Sequence, residues 1–143
     1  MLEAYPVVFT LDTNKTVIAE VPDVPGTMTV GKSRQQALAR IQDALIAMLA
    51  GYTEQKLPIP RPSRPKRDQA TVTIPPMVAA KLAIYRAMLE QKVSQLKLAE
   101  RLGRDPRQIR RLLNLDHNSR LDHLEAALHA LGKRLLVDVR DAA

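Results

Sequence analysis

The sequence predicts an α+β amino-terminal domain, a three-stranded antiparallel sheet plus one helix, joined to an all-α domain that closes on a short terminal strand. Three observations carry that prediction. Alternating, β-branched runs fill the stretch before residue 31, and a helical apolar period begins at Ser33. A proline-rich run then separates two halves of opposite charge: residues 1–60 hold 5 Lys+Arg against 6 Asp+Glu, and residues 61–143 hold 17 against 9. Finally, short amphipathic segments punctuated by glycine occupy residues 76–132. The expected boundaries are 1–57 for the first domain, 58–69 for a connecting segment and 76–143 for the second. A strand at 70–74 stands ready to complete the first sheet.

Within the first domain, Tyr5 to Leu11 (YPVVFTL) and Thr16 to Val21 (TVIAEV) flank the turn-like Asp12 to Lys15, which predicts a β-hairpin. Pro22 to Gly26 (PDVPG) breaks the second strand, and Thr27 to Val30 supplies a third. Ser33 and Gln36 have the spacing of a capping box, in which the hydroxyl accepts from a free amide and the Gln side chain reaches back. Ala37, Leu38, Ile41, Ala44, Leu45, Met48 and Leu49 then recur at helical spacing, with Gly51 as the expected stop.

Leu57 to Gln69 reads LPIPRPSRPKRDQ, which favours an extended, semi-rigid connection; a ligand for a proline-recognising domain is the alternative. Thr71 to Ile74 follows as a strand, stopped by Pro75 and Pro76. Met77 to Glu90 is a helix with Val78, Leu82, Tyr85, Met88 and Leu89 inward. Ser119 is the expected cap of a later helix whose stripe is Leu121, Leu124, Leu128 and Leu131, ended by Gly132. Leu135 to Val139 (LLVDV) reads as a short strand whose edge needs a partner, and a second copy of the chain would serve.

Between these lies the most telling stretch, Ser94 to Leu113 (SQLKLAERLGRDPRQIRRLL). Leu98, Ala99 and Leu102 cover one face of a first short helix capped by Ser94, and Gly103 suits the positive φ of a reversal. Asp105 and Pro106 open a second helix as cap and first residue. On it Ile109, Leu112 and Leu113 point one way, and Arg107, Arg111 and Asn114 the other, with Arg110 on the flank. The pattern is that of a DNA-reading helix-turn-helix, with Arg104 departing from the apolar residue usual after the turn glycine. No acid lies between Asp105 and Asp116, so these arginines gain little from the fold and much from phosphates. The candidate DNA contacts are Gln95, Arg104, Pro106, Arg107, Gln108, Arg110, Arg111 and Asn114. A solvated αα-hairpin is the plainer reading. A homodimer or tetramer is expected, because one recognition helix reads only a few base pairs.

Composition narrows the remaining classes. The chain has no Cys, no Trp, one Phe and three Tyr, which leaves no disulfides or thiolate chemistry and little material for base stacking. Neither a basic leader nor a spanning apolar run is present, so a cytoplasmic location is expected. A metal-dependent nuclease needs carboxylates that converge, and no spacing gathers Asp12, Glu20, Asp23 and Asp43. His117, His123 and His129 recur every six residues, which on a helix scatters them around the axis. No enzyme, metal or cofactor is expected.

Taken in order, Tyr5-Pro6-Val7-Val8-Phe9, Pro22-Asp23-Val24-Pro25-Gly26, the helix near Gln36-Ala37-Leu38, Leu57-Pro58-Ile59-Pro60 with Pro62-Ser63, and the helix-turn-helix resemble the HicB antitoxins of bacterial HicA–HicB toxin–antitoxin pairs. Many relatives have Cys where this chain has Thr27, and a Gly-rich hairpin where it reads Asn14-Lys15-Thr16. The resemblance implies a partial RNase H-like first domain that binds and neutralises a small basic RNase toxin of the HicA type. It also implies repression of the operon by the second domain. Tyr5, Glu20, Pro22 and Asp23 are the candidate toxin contacts, with ordinary turn roles as the alternative for the acids. Two other functions remain open: a free-standing regulator whose first half senses a small molecule, and a nuclease with a DNA-binding tail.

Overall fold

The computed structural model describes residues 3–142; the leader expectation touches Met1 and Leu2, which lie outside them. The chain divides into two compact units, the first ending at Ala79 and the second beginning at Ala80. An α+β unit is thus followed by a helical one, the fold class expected from the sequence.

In the first unit the expected strand from Tyr5 to Leu11 is two strands. β1 (Ala4–Pro6) pairs antiparallel with β5 (Thr71–Thr73), placing Tyr5 opposite Val72, whereas β2 (Val8–Leu11) pairs with β3 (Val17–Glu20). Pro6 has no N–H to continue a ladder, and the chain changes partner immediately after it. Buried Val7 donates its amide to Ala70 O at 2.9 Å. β4 (Met28–Gly31) completes the order β2-β3-β4. The hairpin turn closes with Asp12 N donating to Thr16 O at 2.8 Å, and Lys15 takes a left-handed φ of 61°.

Helix α1 (Arg34–Glu54) buries Ala37, Ile41, Leu45 and Leu49 on one stripe. Each of the larger three contributes about 1.5–3 kcal/mol by leaving water. The Ser33 hydroxyl accepts from Gln36 N at 3.1 Å, and Gln36 Oε1 accepts from Lys32 N at 2.7 Å, one residue before the usual return partner. Gly31 lets β4 meet the helix start: a Cβ there would stand 2.5 Å from Ala37 N. Gly51 does not end the helix. Three further residues continue it, and termination falls at Lys56, which takes φ 58° while Leu57 N donates to Tyr52 O at 2.9 Å.

The proline segment is extended but lies along the first unit. The Tyr5 hydroxyl donates to Pro60 O at 2.6 Å, Ile59 is buried, and Ser63 donates through N (2.7 Å) and Oγ (3.0 Å) to Asp23 Oδ2. Those bonds tie it to β1 and to the loop between β3 and β4.

Four helices follow: α2 (Pro76–Gln91), α3 (Gln95–Leu102), α4 (Pro106–Leu113) and α5 (Leu121–Ala130). The division between units falls within α2. Leu98, Ala99, Ile109, Leu112, Leu124, Ala127 and Leu128 are buried along α3, α4 and α5. Three expectations fail here. Leu89 and Leu121 are exposed rather than inward. Ser119 does not cap α5, whose N-cap is Arg120 without a side-chain bond, because the Ser119 hydroxyl is taken by Lys81. And Leu135–Val139 forms no strand, since a single chain offers it no ladder to join.

Candidate nucleic-acid interface

The geometry of α3 and α4 follows from their ends. Ser94 Oγ accepts from Lys97 N at 3.0 Å, and Gly103 ends α3 in the left-handed region at φ 62°, ψ 39°. Arg104 N donates to Ala99 O at 2.9 Å, closing the turn. Asp105 Oδ1 accepts from Arg107 N at 2.8 Å, and Pro106 follows at the first helical position. A side-chain cap of this kind contributes about 1 kcal/mol.

Burial sorts the second helix into two faces. Ile109 and Leu112 are buried, while Pro106, Arg107, Gln108, Arg110, Arg111 and Asn114 are exposed, as is Gln95 at the start of α3. Arg107 Nε stands 3.6 Å from Asp105 Oδ1, so the cap also holds one arginine. Arg110 and Arg111 have no ion-pair partner among the described residues. Asn114 Oδ1 accepts from Asp116 N at 3.0 Å, which commits half of its amide to the following turn. Arg104 stands apart: half-buried, its guanidinium lies 3.3 Å from His123 Nε2 on α5.

One residue behind this face escaped the sequence reading. Lys81 of α2 has no exposed surface, yet its ammonium donates to Arg111 O and to Ser119 Oγ, both at 2.8 Å. The Arg111 carbonyl is one of the last four of α4, beyond the reach of the regular helical ladder, and it also accepts a longer bond from the capping Asn114 N at 3.3 Å. Burial lowers the Lys81 pKa from 10.5 to about 8. The available signal was its place three residues after Val78 and four before Tyr85, on the inward stripe of an otherwise apolar run.

The first unit presents a different surface. Register places Val8, Glu20 and Met28 in one cross-strand row and Thr10, Ile18 and Val30 in the next, on the face of the sheet opposite Ala19 and Val17. Val8, Met28 and Val30 are exposed, with Glu20 at the centre of their row. The other candidate contacts are not gathered there. Tyr5 is wholly buried, because its ring fills the core and its hydroxyl is bound to Pro60; it is not a surface contact. Pro22 is exposed, and Asp23 is committed to Ser63. Among the described residues no group of three or more His, Cys, Asp or Glu is placed to hold a metal ion, and no helix is long and apolar enough to cross a membrane.

Comparison with known proteins supplies the context for both surfaces. Residues 4–83 match the family described as HicB-like antitoxin of bacterial toxin–antitoxin systems. The chain is 38% identical over 131 residues to Antitoxin HicB 2 of Photorhabdus laumondii, covering 92% of each chain. It is 32% identical to Antitoxin HicB of Escherichia coli K12, covering 92% of this chain and 95% of that protein. With Antitoxin HicB of Pseudomonas fluorescens it shares 31% identity over 84% of its own length.

Proposed function

Since the chain belongs to the HicB-like antitoxin family of bacterial toxin–antitoxin systems, we propose that it neutralises a HicA-type mRNA-cleaving toxin through its first unit and represses its own operon through its second. The protein acts in the cytoplasm, as a homodimer or tetramer, and without catalytic residues of its own.

The observation that carries the DNA half is the division of α4. One face is buried by Ile109 and Leu112, and the other presents Arg110 and Arg111 without acidic partners. In this reading α3 and α4 are the helix-turn-helix, α4 enters the major groove, and Arg107, Gln108, Arg110, Arg111 and Asn114 reach phosphates or base edges. Gln95 and Pro106 approach the backbone from the helix starts. Arg104 is the weakest candidate of the set, because His123 already engages it.

The toxin half rests on the open face of the three-stranded sheet. Val8, Met28 and Val30 offer apolar surface that a protein partner would cover, and Glu20 places one negative charge among them, suited to a basic partner. Pro22 lies beside this face in sequence, and Asp23 acts by holding the loop.

Co-expression tests the toxin half. The neighbouring short basic protein should arrest growth alone and be silenced by this chain, and Glu20→Lys should abolish the rescue while the variant still binds DNA. A neighbour that is harmless alone, or stays toxic beside the wild-type chain, refutes the antitoxin reading.

A further inference from the structure

The extended segment of the first unit carries charge as well as prolines. Arg61-Pro62-Ser63 and Arg64-Pro65-Lys66 repeat one Arg-Pro-x triplet, and Arg67 follows at the same spacing. Residues 61–67 thus hold 4 Lys+Arg and no acid, in a unit that elsewhere has 5 Lys+Arg against 7 Asp+Glu. Composition alone counts these cations with the basic second half of the chain, but the fold sets them on the first unit.

Their backbone is pinned on both sides. Before them Ile59 is buried, Pro60 O accepts from the Tyr5 hydroxyl, and Ser63 is bound twice to Asp23. After them Lys66 N donates to Gln69 Oε1 at 2.9 Å, Gln69 N donates to Lys66 O at 3.0 Å, and Val7 N donates to Ala70 O. The side chains are left to solvent. Arg64, Lys66 and Arg67 are exposed and form no ion pair among the described residues, whereas Arg61 stands 3.4 Å from Glu3 Oε1. Cations on a mobile chain lose binding free energy to the ordering of that chain, and here the backbone is ordered by the fold itself. A proline-rich extended chain repeats about every third residue and advances about 9 Å in doing so. Arg61 and Arg64 therefore stand in a row, with Lys66 and Arg67 at the turn beyond.

The chemistry of the arm selects its partner. It repels a basic protein, so it is no part of the surface around Glu20. Residues 57–70 contain no aromatic side chain, which leaves an unpaired base nothing to stack on. A row of fixed cations is suited to the phosphates of a duplex, where charge and position decide the contact.

We propose that Arg64, Lys66 and Arg67 form a second DNA-contacting element, a fixed basic arm on the first unit that binds phosphates of the same operator duplex read by α4. The assignment rests on the DNA half of the reading above. It adds contacts that strengthen binding and carry no sequence information.

The full-length protein with Arg64→Gln, Lys66→Gln and Arg67→Gln combined tests it. Fluorescence anisotropy would follow binding to the operator, to an unrelated duplex and to a single-stranded RNA over a range of salt concentrations. At about 0.1 M salt, affinity should fall at least about tenfold on both duplexes with their ratio unchanged, and the slope of log K against log salt should shrink by about two to three. A control with Lys15→Gln, Lys32→Gln and Lys56→Gln removes the same charge from exposed positions of the same unit and should leave the slope as it was. Circular dichroism and rescue from the toxin should match the wild type in both. An arm variant with the wild-type slope, or a control that loses as much, overturns the arm; the DNA reading stands if Arg111→Ala still weakens operator binding. A wild type that binds neither duplex overturns both. Loss of toxin rescue, or a larger effect on the RNA than on the duplexes, gives the arm another partner and overturns the proposal.

Discussion

Lys81 Nζ lies 2.8 Å from the carbonyl oxygen of Arg111, so a fully buried cation on α2 closes the last turn of the helix that carries the exposed arginines. Its second bond, to Ser119 Oγ at 2.8 Å, ties the segment leading into α5 to the same point. A positive charge at a helix C-terminus is favourable in itself, and here it faces two acceptors and forms no ion pair among the described residues. One side chain thereby sets the position of three elements.

Replacing Lys81 with Met should loosen that anchor. The apolar stem is kept, but the Ser119 hydroxyl loses its donor and the Arg111 carbonyl keeps just the longer bond from Asn114 N at 3.3 Å, which costs about 1–3 kcal/mol less any relief from no longer burying a charge. Denaturant unfolding reads the stability change. In a gel-shift assay, operator affinity should fall although no DNA-facing group has been removed. Unchanged affinity would show that α4 is held without Lys81.

Burial of Lys81 also sets a pH dependence. Its folded pKa is about 8 against 10.5 ordinarily, so between those values the unfolded chain holds the extra proton and stability rises with pH. The ceiling is about 3 kcal/mol. Burial raises the pKa of Tyr85, which acts oppositely: above pH 10 the unfolded phenol ionises first and stability falls. The rise should therefore be visible from pH 8 to 10 in the wild type and absent from Lys81→Met when urea midpoints are compared.

On the DNA face, Arg110 and Arg111 stand free of acids, whereas Arg107 leans on Asp105 at 3.6 Å. Arg111→Ala or Arg107→Ala should cost roughly 1–3 kcal/mol of operator binding if the side chain reads a guanine edge. A phosphate contact would instead weaken all sequences alike and reduce the salt slope by about one. Toxin rescue should survive either change.

Thr27 is buried and its Oγ1 has no hydrogen-bond partner among the described residues. Thr27→Val keeps the shape and removes an unsatisfied hydroxyl whose burial costs about 1–3 kcal/mol. The variant should melt higher than the wild type; a lower melting temperature would mean that the hydroxyl is satisfied in solution.

Truncation should follow the strand pairing instead of the proline run. A fragment ending at residue 60 lacks β5, leaves β1 unpaired and loses the Ser63–Asp23 bonds, so it should not fold cooperatively. A fragment ending near Pro75 keeps all of these and should show a thermal transition and retain toxin contact.

Much of this architecture was legible from local rules. The caps at Ser33, Ser94 and Asp105, the left-handed Gly103 and the two-faced α4 each depend on residues within one or two turns, where spacing and conformational preference decide. The expected stop at Gly51 failed because a glycine weakens a helix by only about 1 kcal/mol, less than the packing of the stripe through Leu49 supplies. The tail failed differently: its pattern is that of a strand, but a strand is a property of two segments and one chain holds only one of them.

The sequence by itself determined the two-unit order, the caps of α3 and α4 and the basic face, because charge, periodicity and capping act over a few residues. Only the tertiary structure decided which distant groups meet. It split the first strand at Pro6, paired β1 with β5 so that Tyr5 stands opposite Val72, 67 positions along the chain, and laid the proline run against Asp23. It also buried Tyr5, a candidate contact, and drew Ser119 away from α5 to Lys81. A buried polar group must find its partner wherever the fold places one, and sequence spacing carries no record of that distance.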